Sequence, residues 1–240
     1  MENARKTCWK LAGNVVLLGL CSVPFNAGEI VACTKDSSMT MTMQQGALEW
    51  KLSVLNDSAA SGKSKTGDPR TIDGPYGKAV QFDGIQDGIF LDTNPLRNLR
   101  QFTVEVIFHP DPKAPHEQRF LHIGEVSGSR MMLETRVTDD DQWYLDAHIK
   151  SGDSSRTLID KNKTHPVGPW YHLALVVDNG TMNTFVNGEH ELNDKVPFSP
   201  FTGGRTSIGV RMNKVWWFKG AIYSIRITPK CLVPAEFTKS

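Results

Sequence analysis

Asp139-Asp140-Asp141 precedes Trp143, and three adjacent carboxylates in a strand connection can supply the hard oxygen ligands that calcium takes. Their spacing is not that of an EF-hand loop, and a solvated acidic turn explains the same residues. Asp83, Asp87 and Asp92 form a second acidic series around Phe82-Asp83-Gly84, where aspartates equally serve turn geometry. Glu105 and Glu134 lie inside strand patterns. Retaining glycoside hydrolysis needs two carboxylates close together, but Glu105 has Thr103 and Ile107 as same-face neighbours and Glu134 has Met132 and Arg136, so neither strand offers a second acid. A lyase needs an arginine to neutralise a uronate carboxylate and a histidine and tyrosine to move the α-proton, and Arg136, His148 and Tyr223 are residues of those types. Ordinary strand positions account for all three as well.

Two further features suit recognition rather than turnover. In Trp143 to Ile149, Trp143, Leu145, Ala147 and Ile149 face one way, while Tyr144, Asp146 and His148 share the other face, which is either solvent or a ligand groove. Trp216 and Trp217 are adjacent, so an extended strand points them to opposite sides and only one joins the core. Trp216 is then free to stack on a sugar face, or to cover a sheet edge. His172, inside a strand, reads as a packed and hydrogen-bonded residue. The chain contains no glycine-rich phosphate loop, serine-hydrolase elbow or His-Glu-X-X-His zinc motif.

The elements that must position these residues are short strands. Leu48, Trp50 and Leu52 share one face of the first, and Asn56 to Gly74, rich in Ser, Gly, Asp and Lys, reads as a long loop. Strand patterns then recur at Tyr76 to Gly84, Ile89 to Asp92, Phe102 to Phe108, Phe120 to Ile123, Met131 to Val137 and Trp143 to Ile149. Tyr171 to Val177, Met182 to Val186 and Glu189 to Leu192 are joined by Asn179-Gly180 and Asn187-Gly188, which adopt the positive φ angles of tight hairpins. Thr206 to Val210 and Ala221 to Ile227 complete the set. With no sustained helical period from Gly46 onward, the expectation is an all-β sandwich or barrel.

Ahead of this lies a basic then apolar segment, with Arg5, Lys6 and Lys10 before Val15 to Leu20, in the order of a secretory signal over residues 1–32. Ile30-Val31-Ala32 before Cys33 also looks like a bacterial lipobox, although Pro24, Asn26, Gly28 and Glu29 separate it from the apolar run. Residues 33–45, with Met39-Thr40-Met41-Thr42-Met43, read as a linker or an edge strand. Removing residues 1–32 takes three of 27 basic and two of 26 acidic residues and leaves 24 against 24. No net field then attracts phosphate backbones or anionic lipid, so nucleic acid is not an expected partner, and a membrane enters only through lipidation at Cys33. Cys33 and Cys231 remain, either as a disulfide or as two thiols.

Four places in order, GALEWKLS, GPYGKAVQFDGIQDGIFL, FTVEVIFHPD and the series WYHLALVVDNG, FVNGE, TSIGV and WFKGAIYSIRI, resemble a laminin-G-like domain of the concanavalin A-like lectin/glucanase superfamily over Gly46 to Phe237. The resemblance implies a two-sheet antiparallel jelly roll serving adhesion or glycan binding, often with calcium at its rim. It implies no activity, because one scaffold carries many functions. The expectation is a secreted, extracellular or periplasmic recognition module for a carbohydrate or a cell-surface protein, with Tyr144, Asp146, His148 and Trp216 at the ligand and Asp139, Asp140 and Asp141 at calcium. The alternative is a polysaccharide lyase or glycoside hydrolase on the same sandwich. Glu134-Thr135-Arg136, His148 and Phe218 to Tyr223 are similar to fragments of alginate-lyase motifs, but lack the glutamine-X-histidine triplet and an asparagine-glutamine after Tyr223.

Overall fold

The computed structural model describes residues 46–239. The expected signal at 1–32, the linker or edge strand at 33–45 and Cys33 lie outside the described residues. The first half of the domain contains β1 (Leu48–Lys51), β2 (Lys63–Thr66), β3 (Arg70–Gly74), β4 (Gly77–Asp83), β5 (Gly88–Leu91), β6 (Gln101–Pro110), β7 (Glu117–Gly124) and β8 (Arg130–Val137). The second contains β9 (Gln142–Ser151), β10 (Ser154–Ile159), β11 (His165–Pro166), β12 (Tyr171–Asp178), β13 (Thr181–Val186), β14 (Glu189–Lys195), β15 (Arg205–Ile208) and β16 (Lys219–Thr228). One short helix, α1 (Leu52–Asp57), and a 3-10 turn at Pro234–Glu236 are added.

The strands form two eight-stranded antiparallel sheets. Sheet A runs β14-β13-β12-β6-β16-β4-β3, and sheet B runs β10-β9-β8-β7-β15-β5-β2, with β11 also paired to β9. A bulge between Ile222 and Ser224 divides β16, so that Lys219 to Ile222 pair with β4 while Ser224 to Ile227 pair with β1. The hairpins fall where the asparagine-glycine pairs predict, with Asn179 and Gly180 at φ 47° and 91° and Asn187 and Gly188 at 50° and 81°.

Alternation decides the core. Phe102, Val104, Val106 and Phe108 on β6 and Leu173 and Leu175 on β12 are fully buried in one cluster. Trp143, Leu145, Ala147 and Ile149 meet them from β9, and Phe108 packs against both Phe120 (4.9 Å, stacked) and Trp143 (5.2 Å, edge-on). The outer face of sheet A is covered too. The C-terminal segment crosses it, with Leu232 N–H donating to Thr103 Oγ1 (2.9 Å), Thr238 N–H donating to Glu105 Oε1 (2.6 Å) and Phe237 packing on Phe185. His172 lies beneath this segment, buried and 3.0 Å from Glu105 Oε1.

The sequence reading of Asn56 to Gly74 as loop is corrected, because that stretch contains β2 and β3. Both are edge strands, Lys-Ser-Lys-Thr against β5 and Arg-Thr-Ile-Asp-Gly against β4, held by backbone pairing with side chains largely in solvent. Charged edges carry no apolar alternation, which leaves composition with nothing to read. β10, on the far edge of sheet B, was unread for the same reason. Leu52 does not continue the first strand. It opens α1, and Leu52 and Leu55, three residues apart, both enter the core.

Because Leu173 is fully buried at the centre of sheet A, Leu173→Ala is expected to cost about 2–5 kcal/mol by urea denaturation. A loss below about 0.5 kcal/mol would remove β12 from the common core.

Candidate functional site

The outer face of sheet B carries the chemistry. Register places Arg119, Glu134 and Asp146 side by side on β7, β8 and β9, with Glu117, Arg136 and Tyr144 in the next row, and Met132, His148 and Thr157 on the other side. A bulge between Arg119 and Leu121 makes this possible. It sends both Phe120 and Leu121 into the core at full burial, and so returns His122 to the same outer face as Arg119.

Two arginines and three carboxylates close an ionic network in this face. Arg136 reaches Asp146 Oδ2 through Nη2 (2.6 Å) and Nε (3.0 Å), Glu134 Oε2 through Nη2 (3.3 Å) and Glu117 Oε2 through Nη1 (2.9 Å). Arg119 meets Glu117 at 2.6 Å and Glu134 at 2.9 Å. Burial, reinforced by the Asp146 carboxylate, pushes Glu134 up to about 7 despite the pull of Arg119 and Arg136. Burial also raises Asp146, while Glu117, although burial opposes it, is lowered by Arg119 and Arg136. His122 and His148 are both depressed to about 4, first by burial and then, for His148, by Arg130, Arg119 and Arg211.

Above the network lies a groove of about 220 Å³ lined by Arg119, Arg130, Arg136 and Arg211 together with Met132, Glu134, Asp146, His148 and Thr157. Thr157 Oγ1 meets His148 Nδ1 at 2.9 Å, which leaves Nε2 buried without a partner. The β15–β16 connection overhangs this face. Arg119 N–H donates to the Trp216 carbonyl (2.9 Å), and the Trp216 ring, 45% exposed, lies 5.2 Å from the Arg119 guanidinium.

The structure thus brings Asp146, His148 and Arg136 into one groove and sets Trp216 beside it, while Tyr144, half-buried, shares the face opposite Arg136. Trp216 reaches that place differently from the strand expectation. It sits in a loop at φ 62°, Trp217 is half-buried, and Phe218 takes the core position. Tyr223 is not in the groove. It stands on sheet A, 5.8 Å from Tyr76 and under Lys51, so the trio of Arg136, His148 and Tyr223 is not assembled.

In the Asp139 to Asp141 turn all three side chains are exposed. Asp140 accepts from Thr138 Oγ1 (2.5 Å) and Asp141 accepts from Lys113 N–H (3.2 Å). Asp83 accepts the N–H groups of Ile85, Gln86 and Asp87, and Asp87 those of Asp68 and Asp83, so these carboxylates organise turns. Among the described residues no three His, Cys, Asp or Glu side chains are grouped to hold a metal ion. Cys231 is half-buried with its thiol toward the Val177 carbonyl, and burial pushes it up to about 11.

Sequence reasoning passed over Arg119, Arg130 and Arg211, and found no acid to pair with Glu134. That acid is Asp146, on the neighbouring strand directly opposite. A signal did exist. Arg130, Glu134 and Arg136 alternate with buried residues on β8, as Asp146 and His148 do on β9, and charges repeated on adjacent interior strands mark a face that is neither core nor plain solvent.

The pH response follows from these groups. A carboxyl raised in the fold contributes stability that is full below its unfolded value of 4.5 and is lost as pH rises through about 7, and Glu134 is of this kind. The depressed histidines act oppositely, losing theirs as pH falls from 6.5 towards about 4. Melting curves from pH 4 to 9 are expected to show Glu134→Gln sparing about 1–3 kcal/mol of the wild-type loss between pH 5 and 8, and His148→Gln flattening the acid limb. Parallel curves for wild type and Glu134→Gln would place the titrating group elsewhere.

Residues 83–237 match the concanavalin A-like lectin/glucanases superfamily in its laminin G group. Among solved structures the chain is similar to domain 4 of the extracellular GH43 arabinanase AbnA from Geobacillus stearothermophilus in complex with arabinotriose, at 24% identity and TM-score 0.52, covering 72% of this chain and 85% of that one. It is also similar to a SAP-like pentraxin from Limulus polyphemus (17%, TM-score 0.51, 65% and 77% covered) and to the binding domain of botulinum neurotoxin DC in complex with SialylT (11%, TM-score 0.54, 72% and 44% covered). No curated protein matches the chain. The likeness to these structures is one of fold alone, while the family match over residues 83–237 establishes that the chain belongs to the concanavalin A-like lectin/glucanase superfamily.

Proposed function

We propose that this chain is a secreted, non-catalytic recognition module that binds a carbohydrate in the groove on the outer face of sheet B. The observation that carries this reading is the open groove itself, where arginines, a neutral histidine and a threonine hydroxyl stand over a buried ionic network beside an exposed tryptophan. Such a surface offers what a sugar needs, hydrogen-bonding groups held rigid from below and an aromatic face alongside. Arabinotriose in the complex of the arabinanase domain and SialylT in that of the toxin domain support the same use of the scaffold. An extracellular protein partner is the other occupant in this class. Calcium at the Asp139 to Asp141 turn is a separate part of the proposal, and among the described residues that turn presents no grouped ligand set.

A second reading has one observation behind it. Glu134, near neutrality in its proton affinity, and Asp146, directly opposite, form the carboxyl pair that a glycoside hydrolase uses. Against it, both carboxyls are tied to Arg136 and almost fully buried. The lyase reading has Tyr223 on the other sheet.

Binding of the full chain to a neutral and acidic oligosaccharide panel by calorimetry is expected to give a complex with no product. His148→Ala, which removes a groove side chain and spares the ionic network, should weaken that complex about tenfold. New reducing ends that disappear in Glu134→Gln would establish the hydrolase instead, and unsaturated uronates the lyase. For the compartment, N-terminal sequencing of protein recovered from its host is expected to start near Gly28 to Cys33, outside the cytoplasm. An intact Met1 in the cytosol would overturn the secreted assignment.

A further inference from the structure

The groove holds more positive charge than its own carboxylates close. Arg119 and Arg136 are consumed by Glu117, Glu134 and Asp146. Arg130 and Arg211 make no ion pair among the described residues. Their ties are to backbone carbonyls alone, Arg130 Nη1 to Ser127 (3.2 Å) and Gly128 (2.9 Å) and Arg211 Nη2 to Val126 (3.3 Å), all in the β7–β8 turn. In each the Nε is buried without a partner. A guanidinium has five N–H donors in a fixed fork, so both retain donors to spare.

Glu134 offsets part of the Arg130 charge, but among the described residues no carboxylate forms an ion pair with either arginine. His122 and His148 are neutral above about pH 4, Lys150 adds to the same side, and Glu134 is about half protonated at neutral pH. Burial and the mutual repulsion of Arg130 with Arg211 and Arg119 lower Arg130. Two like charges held close by the fold are relieved by an anion placed between them, and a carboxylate or sulfate matches the guanidinium fork in geometry.

We propose that the groove selects an anionic oligosaccharide, one bearing uronate or sulfate, whose acidic group is held by Arg130 and Arg211. This rests on the carbohydrate-binding reading above and narrows it. The unpartnered His148 Nε2 meets a neighbouring sugar oxygen, and Trp216 lies beside the groove for the apolar face of a ring. The chain's expected mature charge is balanced, so the selection is local to this groove rather than an effect of overall charge.

Calorimetry on the full chain at low salt tests it with two matched pairs, tetragalacturonate against its methyl ester and a κ-carrageenan tetrasaccharide against its desulfated form. At least one acidic member is expected to bind about tenfold or more tighter than its neutral twin, with the pair that responds distinguishing carboxylate from sulfate. Arg130→Gln and Arg211→Gln should each remove most of that preference. Arg70→Gln, on sheet A, should leave it intact. Arg130→Lys, which keeps the charge without the fork, guards against loss of fold and should weaken binding partially. Neutral twins binding as tightly as acidic ones, or a preference that survives both glutamine variants, would overturn the anion assignment and leave carbohydrate binding standing. Failure of all four probes to bind would overturn both.

Discussion

Five ionised or ionisable side chains on one side of sheet B, three of them buried and two half-buried, are the constraint on which the site depends. Arg119 and Arg136 stand among Glu117, Glu134 and Asp146, each arginine touching at least two carboxylates. Removing charges from water costs several kcal/mol per ion, and removing one member of a closed set leaves its partners uncompensated. The set therefore tolerates little change in register. A one-residue slip of β8 against β9 would take Glu134 away from Asp146 and turn Arg136 into the core. The bulge at Phe120 is part of the same constraint, because without it Arg119 and His122 could not share a face.

The two sheets use their outer faces differently, and the difference assigns the work. On sheet A, Glu105, His172 and Arg226 also form a buried polar group, with Arg226 Nη1 3.4 Å from Glu105 Oε2, but the C-terminal segment lies over it. Its donors and acceptors meet the protein's own chain. Phe237 and Leu232 add apolar cover against Ala174 and Val176. Among the described residues no such segment lies above the polar face of sheet B, where the β15–β16 connection stands with Trp216 in the open. Similar chemistry is thus sealed on one side and presented on the other.

The core and hairpins were legible in the sequence because both have strong local signatures. Phe102 to Phe108 alternates cleanly, and Asn179-Gly180 and Asn187-Gly188 supply positive φ where two-residue loops need it. The edge strands β2, β3 and β10 were not legible, since backbone pairing alone defines them. The site was half legible. Asp146 and His148 follow from the period of β9, but the pairing of Asp146 with Glu134 depends on which residues two strands set opposite, and that register is decided by the whole sandwich. Trp216 is exposed, but through a left-handed loop rather than the strand alternation that its adjacency to Trp217 implies. Arg211 reaches the groove from the same connection, whose path no periodicity encodes.

What separates structural charge from functional charge in this groove is closure. Arg119 and Arg136 return to the fold what they cost, because their carboxylates lie within 2.6 to 3.3 Å and the strands cannot shift without losing them. Arg130 and Arg211 do not. They are anchored through carbonyls and repel one another, and they add to the burial that keeps the neighbouring His148 uncharged. A fold selected for stability alone would replace either with a neutral side chain, since a hydrogen bond to a carbonyl does not require a guanidinium. A charge that the fold carries at a cost, and that no described residue pairs, is the one the proposed ligand meets, and its sign says that this ligand is negative.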